Sequence, residues 1–142
     1  MQTILDVKKT FEDKALTEFS EQQKEFEHEK ETLKKIKEQK IKLINSFREL
    51  KGQSTNIYEI ILRSSNIKQC QKNEALQKER VQSAGVKVDQ KREALLEATQ
   101  KRKMMEILKS KAFEKFKANE IRLERTAIDE MAIVRHNRRE RT

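Results

Sequence analysis

Hydrophobic residues recur at alternating spacings of three and four through the first half of the chain. The positions are Ala15, Phe19, Gln22, Phe26, Glu29, Leu33, Ile36, Lys40, Leu43, Phe47 and Leu50. This is the a/d heptad pattern of a coiled coil, and so narrow a stripe requires a partner helix rather than a globular core. Three of the positions, Gln22, Glu29 and Lys40, are polar, which costs stability but can fix the register.

A polar break follows this heptad run and predicts a turn. Its sequence is Lys51-Gly52-Gln53-Ser54-Thr55-Asn56. Ser54, Thr55 or Asn56 is suited to cap the helix that follows the flexible glycine. Proline is absent, so little else in the chain resists a helix. The prediction is an all-α fold in which residues 1–142 form a single elongated antiparallel coiled-coil hairpin, with helix 1 at about 3–51, a turn at about 52–56 and helix 2 at about 57–138.

Folding the chain back about this turn predicts a register of mostly apolar pairs. The pairs are Leu50 with Ile57, Phe47 with Ile60 or Ile61, Phe26 with Val81, Phe19 with Val88, and Phe11 with Leu95. Phe11, Ala15 and Phe19 step by four twice, which predicts a stutter in the heptads near the start of helix 1.

The C-terminal part of the chain has an apolar stripe of its own, beyond the reach of helix 1. It consists of Met105, Leu108, Ala112, Phe116, Leu123, Ala127, Met131 and Val134. One interpretation places the turn later, within residues 64–73, which would set Phe26 against Phe116, Phe19 against Leu123 and Phe11 against Met131. The other is that the stripe binds a protein partner, as an amphipathic helix binds a groove.

Composition agrees with a thin core and suggests an acidic partner. Only 35% of residues are hydrophobic while 40% are charged, and the formal net charge is +9. The excess lies toward the C-terminus, where residues 101–142 contain 13 basic and 7 acidic groups. Such a gradient favours an acidic protein surface, a nucleic acid or an anionic lipid as the partner of this end.

Little in the sequence indicates catalysis. A two-helix hairpin has no interior volume for a pocket, and no glycine-rich phosphate loop occurs, so we expect no enzyme activity, no cofactor and no small-molecule substrate. His28 lies in an ordinary charged run and His136 among arginines, so no metal site is expected. The basic C-terminal tail has no aromatic residue to stack on bases, and nucleic-acid binding is not expected either.

The single cysteine, Cys70, favours a reducing compartment, where it would be an ordinary small side chain. The sequence shows neither a signal peptide nor the run of roughly 20 apolar residues that a membrane span needs. The expected location is the cytoplasm.

Several stretches resemble the flagellar export proteins of the FliJ family. The opening from Ile4 to Ala15, with an aliphatic pair, a basic pair and Glu-Asp, is similar to the start of that family. Three later stretches follow the family's order and spacing: Val88-Asp89-Gln90-Lys91-Arg92-Glu93-Ala94-Leu95, Arg102-Lys103-Met104-Met105-Glu106-Ile107-Leu108-Lys109, and Ile128-Asp129-Glu130-Met131-Ala132 with Arg135 after it.

This resemblance implies a non-enzymatic stalk similar to the γ subunit of rotary ATPases, in the cytoplasm and peripherally associated with the inner membrane at the export apparatus. Its implied partners are the hexameric export ATPase, whose assembly it would promote, the cytoplasmic linker of the export gate, and substrate-specific export chaperones. It further implies that the terminal end enters the ATPase ring. The contact residues would be Arg122, Arg125, Met131, Val134, Arg135, Arg138, Arg139 and Arg141.

The family also uses an exposed aromatic residue and a leucine near the start of helix 2 to reach the gate. An ungapped alignment from the C-terminus puts these positions at Ser64 and Lys68, so this sequence departs from the family pattern. The nearest apolar candidates are Tyr58, Ile61 and Leu62, which would otherwise simply close the hairpin at its turn.

Two other functions compete with the flagellar export stalk. One is a stalk protein of a virulence type III secretion system. The other is a generic scaffold coiled coil that associates through its seam into intermolecular dimers.

Overall fold

Two long helices make up the structure, a computed structural model that describes residues 2–50, 52 and 56–139. Helix α1 spans Gln2–Leu50 and helix α2 spans Ile57–Arg139. The helices pack against each other, and the prediction of an all-α helical hairpin is confirmed. Residues 64–73 lie within α2, so the alternative turn at this position is wrong.

The start of α2 is fixed by a side-chain cap. The amide of Tyr58 donates a hydrogen bond to Oδ1 of Asn56 at 3.2 Å, which satisfies one of the amides that the first helical turn leaves without a partner. At the end of α1, the amide of Gly52 donates to the carbonyl of Glu49. The other residues of the predicted turn and of its caps, Gln53, Ser54 and Thr55, lie outside the described residues.

One face of α1 is half-buried at a regular heptad spacing. All eleven predicted seam positions between Ala15 and Leu50 are half-buried. The spacing continues toward the N-terminus through Glu12, Lys8 and Leu5 without a stutter, and Phe11 is 60% exposed. The predicted stutter at Phe11 is therefore wrong: the regular seam places Glu12 inward.

Helix α2 presents a matching seam. Its covered positions follow the same alternation of three and four: Ile60, Arg63, Ile67, Cys70, Glu74, Gln77, Val81, Ala84, Val88, Lys91, Leu95, Ala98, Arg102 and Met105. Among the described residues the buried ones all lie on this seam, and they are Cys70, Glu74, Gln77, Ala84 and Val88. The core is thin, as the composition predicts, and it is partly polar.

The chain divides into two compact units. The hairpin unit, Phe11–Ala98, contains the antiparallel packing of α1 on α2. Within it the ring of Phe26 lies against Gly85, where a Cβ atom would stand 3.4 Å from Cε2 of the ring. Gly85 lies about one helical turn beyond Val81, the residue predicted to face Phe26. Ile57, predicted to pack near Leu50, is 67% exposed.

The second unit, called the terminal unit here, comprises the described residues of 1–10 and 99–142. Within it, Nζ of Lys109 donates a hydrogen bond to Oε1 of Gln2. Met105 and Ala112 are half-buried, and every residue from 113 to 139 is exposed. Among the described residues, this last part of α2 therefore has no neighbouring helix to cover it.

Candidate partner-binding surfaces

The eight apolar residues that we call the C-terminal stripe, Met105, Leu108, Ala112, Phe116, Leu123, Ala127, Met131 and Val134, dominate the terminal unit. Phe116 is 57% exposed, Leu123 and Met131 are each 61% exposed, and Val134 is 54% exposed. Proteins seldom leave so many large apolar side chains in a row facing water unless another molecule covers them. The stripe is the first candidate binding surface.

The spacing of the C-terminal stripe differs from that of the hairpin seam. Met105, Phe116 and Ala127 follow one another at intervals of eleven residues, and so do Ala112, Leu123 and Val134. A heptad seam drifts around a straight helix and imposes a left-handed supercoil, whereas an eleven-residue interval nearly follows the helix axis. The stripe therefore suits a straight helix and is not a simple continuation of the hairpin seam.

Arginines cluster beside the distal half of the stripe. Met131, Val134, Arg135 and Arg138 share one exposed face of α2 with Ala127 and Glu130. Arg139 lies beside Arg135 and His136 on an adjacent face. The structure thus brings together most of the residues predicted for the ATPase contact.

Three other predicted contact residues do not join this cluster. Arg122 and Arg125 are exposed, but their helical positions place them away from Met131 and Val134, which share the stripe. Arg141 lies outside the described residues.

The predicted gate-binding residues form a second exposed patch at the start of α2. Tyr58 is 77% exposed, and Ile61 and Leu62 are 60% and 61% exposed. The half-buried seam position nearby is Ile60. These three side chains are thus largely accessible, although Ile61 also contributes to a shallow groove with Phe47, Ser64 and Lys68.

Two polar layers, in which buried Glu74 and Gln77 on α2 contact Lys40 and Glu29 on α1, cross the seam of the hairpin unit. Apolar periodicity did not predict the two α2 residues. Glu74 is buried and accepts hydrogen bonds from Nζ of Lys40 on α1 and, at 3.0 Å, from Nζ of Lys78. Gln77, also buried, donates through Nε2 to the backbone carbonyl of Glu29 at 3.1 Å and to its carboxylate. Continuing the alternation of three and four forward from Ile60, regardless of polarity, predicts that Glu74 and Gln77 lie in the seam.

These layers shift the pKa of two carboxyl groups. The hydrogen bond from Lys40, then that from Lys78, lowers the pKa of Glu74 from its usual value of 4.5 to about 2, against the opposing effect of burial. Farther along the hairpin, the hydrogen bond and the positive charge of Lys91, 2.8 Å away, lower the pKa of Glu18. Both carboxylates are therefore held in their charged forms.

A comparison with known protein families identifies the family to which this chain belongs. A family model described as "Flagellar FliJ protein" matches residues 1–141. The chain belongs to the FliJ family. No curated protein matches it, and no solved structure does. The resemblance found in the sequence is confirmed, and the family match covers nearly the whole chain, residues 1–141.

FliJ membership implies a stalk-type protein of flagellar export, from a structural and accessory family that is not known for enzyme activity. It suggests interaction with components of the flagellar export machinery. Over the part of this FliJ chain that the structure describes, no group of three His, Cys, Asp or Glu side chains is arranged to hold a metal ion. Over the same part, neither helix contains a stretch apolar enough to cross a bilayer.

Proposed function

We propose that this FliJ-family protein binds the hexameric export ATPase through the exposed end of α2 and promotes assembly and activity of the ring. The observation that carries the proposal is that Met131 and Val134 lie beside Arg135 and Arg138 on one exposed face of α2. Apolar side chains at the centre of a contact with arginines beside them are a common composition of protein interfaces. A basic helix end also suits an acidic partner surface.

The exposure of every residue from 113 to 139 supports the same assignment. A stalk that enters a ring needs a helix whose whole circumference is available for contact, which the hairpin unit cannot provide because one face of each helix is covered. Arg122 and Arg125, on the other side of α2, would then face different subunits from Arg135 and Arg138. Arg139 and Arg141 would extend the basic end.

The second part of the proposal assigns the export gate to the start of α2. Tyr58, Ile61 and Leu62 offer an exposed apolar patch at the opposite end of this helix from the arginines. Binding there would connect the ATPase to the cytoplasmic linker of the gate and hold the protein at the inner membrane peripherally. Substrate-specific export chaperones would be escorted by the same assembly.

Charge reversal tests the ATPase contact. Arg135→Glu combined with Arg138→Glu should weaken binding to the ATPase strongly, because it replaces attraction to an acidic surface by repulsion. The control reverses Lys34 and Lys35, an exposed basic pair on α1. Binding by surface plasmon resonance in moderate salt gives the readout, and circular dichroism checks helicity. Unchanged binding by the arginine variant would contradict the proposal.

A further inference from the structure

Lysines and aliphatic side chains, without a carboxylate, form one exposed side of the terminal unit. On α2 the exposed residues of this side alternate at spacings of three and four, and they are Lys101, Met104, Leu108, Lys111 and Lys115. On α1, Ile4 and Val7 lie three residues apart and are exposed on the same side. We call these seven residues the lysine face.

Hydrogen bonds and an ion pair show which side of the helix pair this is. Lys109 donates to Gln2, and Nε2 of Gln2 donates to Oδ1 of Asp6 at 3.1 Å. Glu106, paired with Arg102 at 2.6 Å, lies on the same side as Asp6. The heptad positions of the lysine face place it on the other side of the contact between the helices. Helix α1 therefore does not cover this face but contributes to it.

The apolar part of the lysine face comes from both helices. Met104 and Leu108 on α2 are 61% and 51% exposed, and Ile4 and Val7 on α1 are 51% and 49% exposed. Lysine is depleted in protein–protein interfaces, whereas aliphatic side chains flanked by lysines are typical of helices that lie on an anionic membrane. The composition of the face thus favours a lipid surface over a protein groove.

The charges of the face require an anionic partner. Among the described residues, neither Lys111 nor Lys115 is paired with a carboxylate. Beyond Ala118 the same alternation continues through Arg122 and Arg125, so this side of α2 contains five cations and no carboxylate between Lys101 and Arg125. Clusters of about four to eight lysines and arginines on an amphipathic helix are typical of binding to anionic lipid headgroups. Their long side chains can reach the headgroups while shorter aliphatic side chains enter the acyl boundary.

We propose that the lysine face binds directly to a bilayer surface rich in anionic phospholipid, with Ile4, Val7, Met104 and Leu108 entering the boundary between headgroups and acyl chains. This contact goes beyond the proposed attachment through the export gate, because it needs no other protein. The distal residues of the C-terminal stripe lie on a different side of α2 and stay available to the ATPase. Arg122 and Arg125 could serve either partner, so the variants below leave them unchanged.

Co-sedimentation of the full chain with vesicles tests the proposal with no other protein present. The wild type should bind vesicles made of equal parts of phosphatidylglycerol and phosphatidylcholine, and it should not bind vesicles of phosphatidylcholine alone. Lys111→Gln combined with Lys115→Gln should weaken binding about 25-fold, because each lysine near an anionic surface contributes a factor of about five.

The matched control, Lys34→Gln combined with Lys35→Gln, has the same net charge and removes an exposed lysine pair from the hairpin unit. It should bind these vesicles nearly as well as the wild type. An equal loss in both double variants would show an unspecific attraction by net charge and would overturn the proposal. So would a wild type that does not bind, or a Lys111 and Lys115 variant that binds normally.

A tryptophan reporter tests which side of α2 meets the lipid, since the sequence contains no tryptophan. The emission of Leu108→Trp should shift to the blue on binding the anionic vesicles, and brominated acyl chains should quench it. Phe113→Trp, at an exposed position on the other side of α2, is the control and should stay in water. Equal quenching at both positions, or quenching at position 113 alone, would refute the assigned face.

These outcomes can be told apart from those of the ATPase test. The Lys111 and Lys115 variant might leave vesicles out of the picture altogether: a wild type that ignores vesicles, with ATPase binding weakened by this variant, would assign the lysine face to a protein partner. That result would overturn the lipid contact and leave the proposed function standing. Vesicle binding with the predicted reporter signals, and no effect on the ATPase, would do the reverse.

Discussion

Nζ of Lys40 on α1 donates a hydrogen bond to Oε2 of Glu74 on α2, and both residues occupy seam positions that a coiled coil normally fills with apolar side chains. The side chain of Glu74 is 8% exposed and that of Lys40 is 26% exposed. A charged pair at this position adds little stability over an apolar pair, but it strongly disfavours registers in which either charge would meet an apolar neighbour. We infer that this layer helps to fix the register of the hairpin unit.

The first prediction concerns acid. The pKa of Glu74 lies below its unfolded value, so its carboxylate stabilises the folded state above the unfolded pKa near 4.5, and this contribution is lost as the pH falls toward 2. Urea titrations should show the midpoint falling over this range. Glu74→Gln should be less stable than the wild type at neutral pH and lose less stability on acidification. Glu79→Gln, an exposed neighbour, is the control; an equally steep loss in Glu74→Gln would contradict this account.

The second prediction concerns the contact between Gly85 and Phe26. Glycine in the middle of a helix is less favourable than alanine by about 1 kcal/mol. The added Cβ of Gly85→Ala would stand 3.4 Å from the ring of Phe26, which is close to ordinary van der Waals contact. The substitution should therefore stabilise the fold by about 0.5–1 kcal/mol and raise Tm by about 2–4 °C.

Thermal unfolding followed by circular dichroism measures this change. Gly85→Leu is the opposing variant, because its larger side chain would push into the ring and should lower Tm. A lower Tm for Gly85→Ala would mean that the two helices cannot tolerate even one added methyl group at this position.

Much of the fold was predictable from the sequence because heptad spacing is a local signal. The seam of α1, from Ala15 to Leu50, follows from the alternation of three and four, and Asn56 was among the candidates for the cap. The exact register was not predictable, since it depends on one or two residues at the turn. Phe26 lies against Gly85, a contact that the predicted register did not include.

Polar seam residues were harder to predict than apolar ones. The pattern of apolar residues predicted that Phe11 would lie in the seam. In the structure the regular heptad spacing instead places Glu12 in the seam, and Phe11 is largely exposed. The burial of Glu74 and Gln77 was not predicted for the same reason. It depends on partners on the other helix, Lys40 and Glu29, which the sequence of α2 alone does not reveal. The candidate ATPase and gate surfaces remain predictions, because the sequence and the fold do not contain the partners.

The third prediction concerns the proposed gate surface. Replacing both Ile61 and Leu62 by alanine should change the free energy of unfolding by less than about 0.5 kcal/mol, because both side chains are largely exposed. The same variant should bind the cytoplasmic linker of the export gate more weakly. Leu76→Ala, at another exposed apolar position of α2, is the control for binding.

Helicity and binding must be measured on the same samples. Weak binding together with a large loss of helicity would mean that Ile61 and Leu62 mainly close the hairpin. Normal binding by a well-folded double variant would remove this patch from the proposed gate contact.

The central claim is that this FliJ-family chain promotes assembly of the export ATPase. Its most direct test is the hydrolysis rate of the matching ATPase with and without the protein, in moderate salt and over a series of ATPase concentrations. We predict the strongest stimulation where the ATPase alone is too dilute to form rings, and its loss in the variant with Arg135 and Arg138 reversed. No stimulation at any concentration, with an ATPase that is active by itself, would contradict the claim.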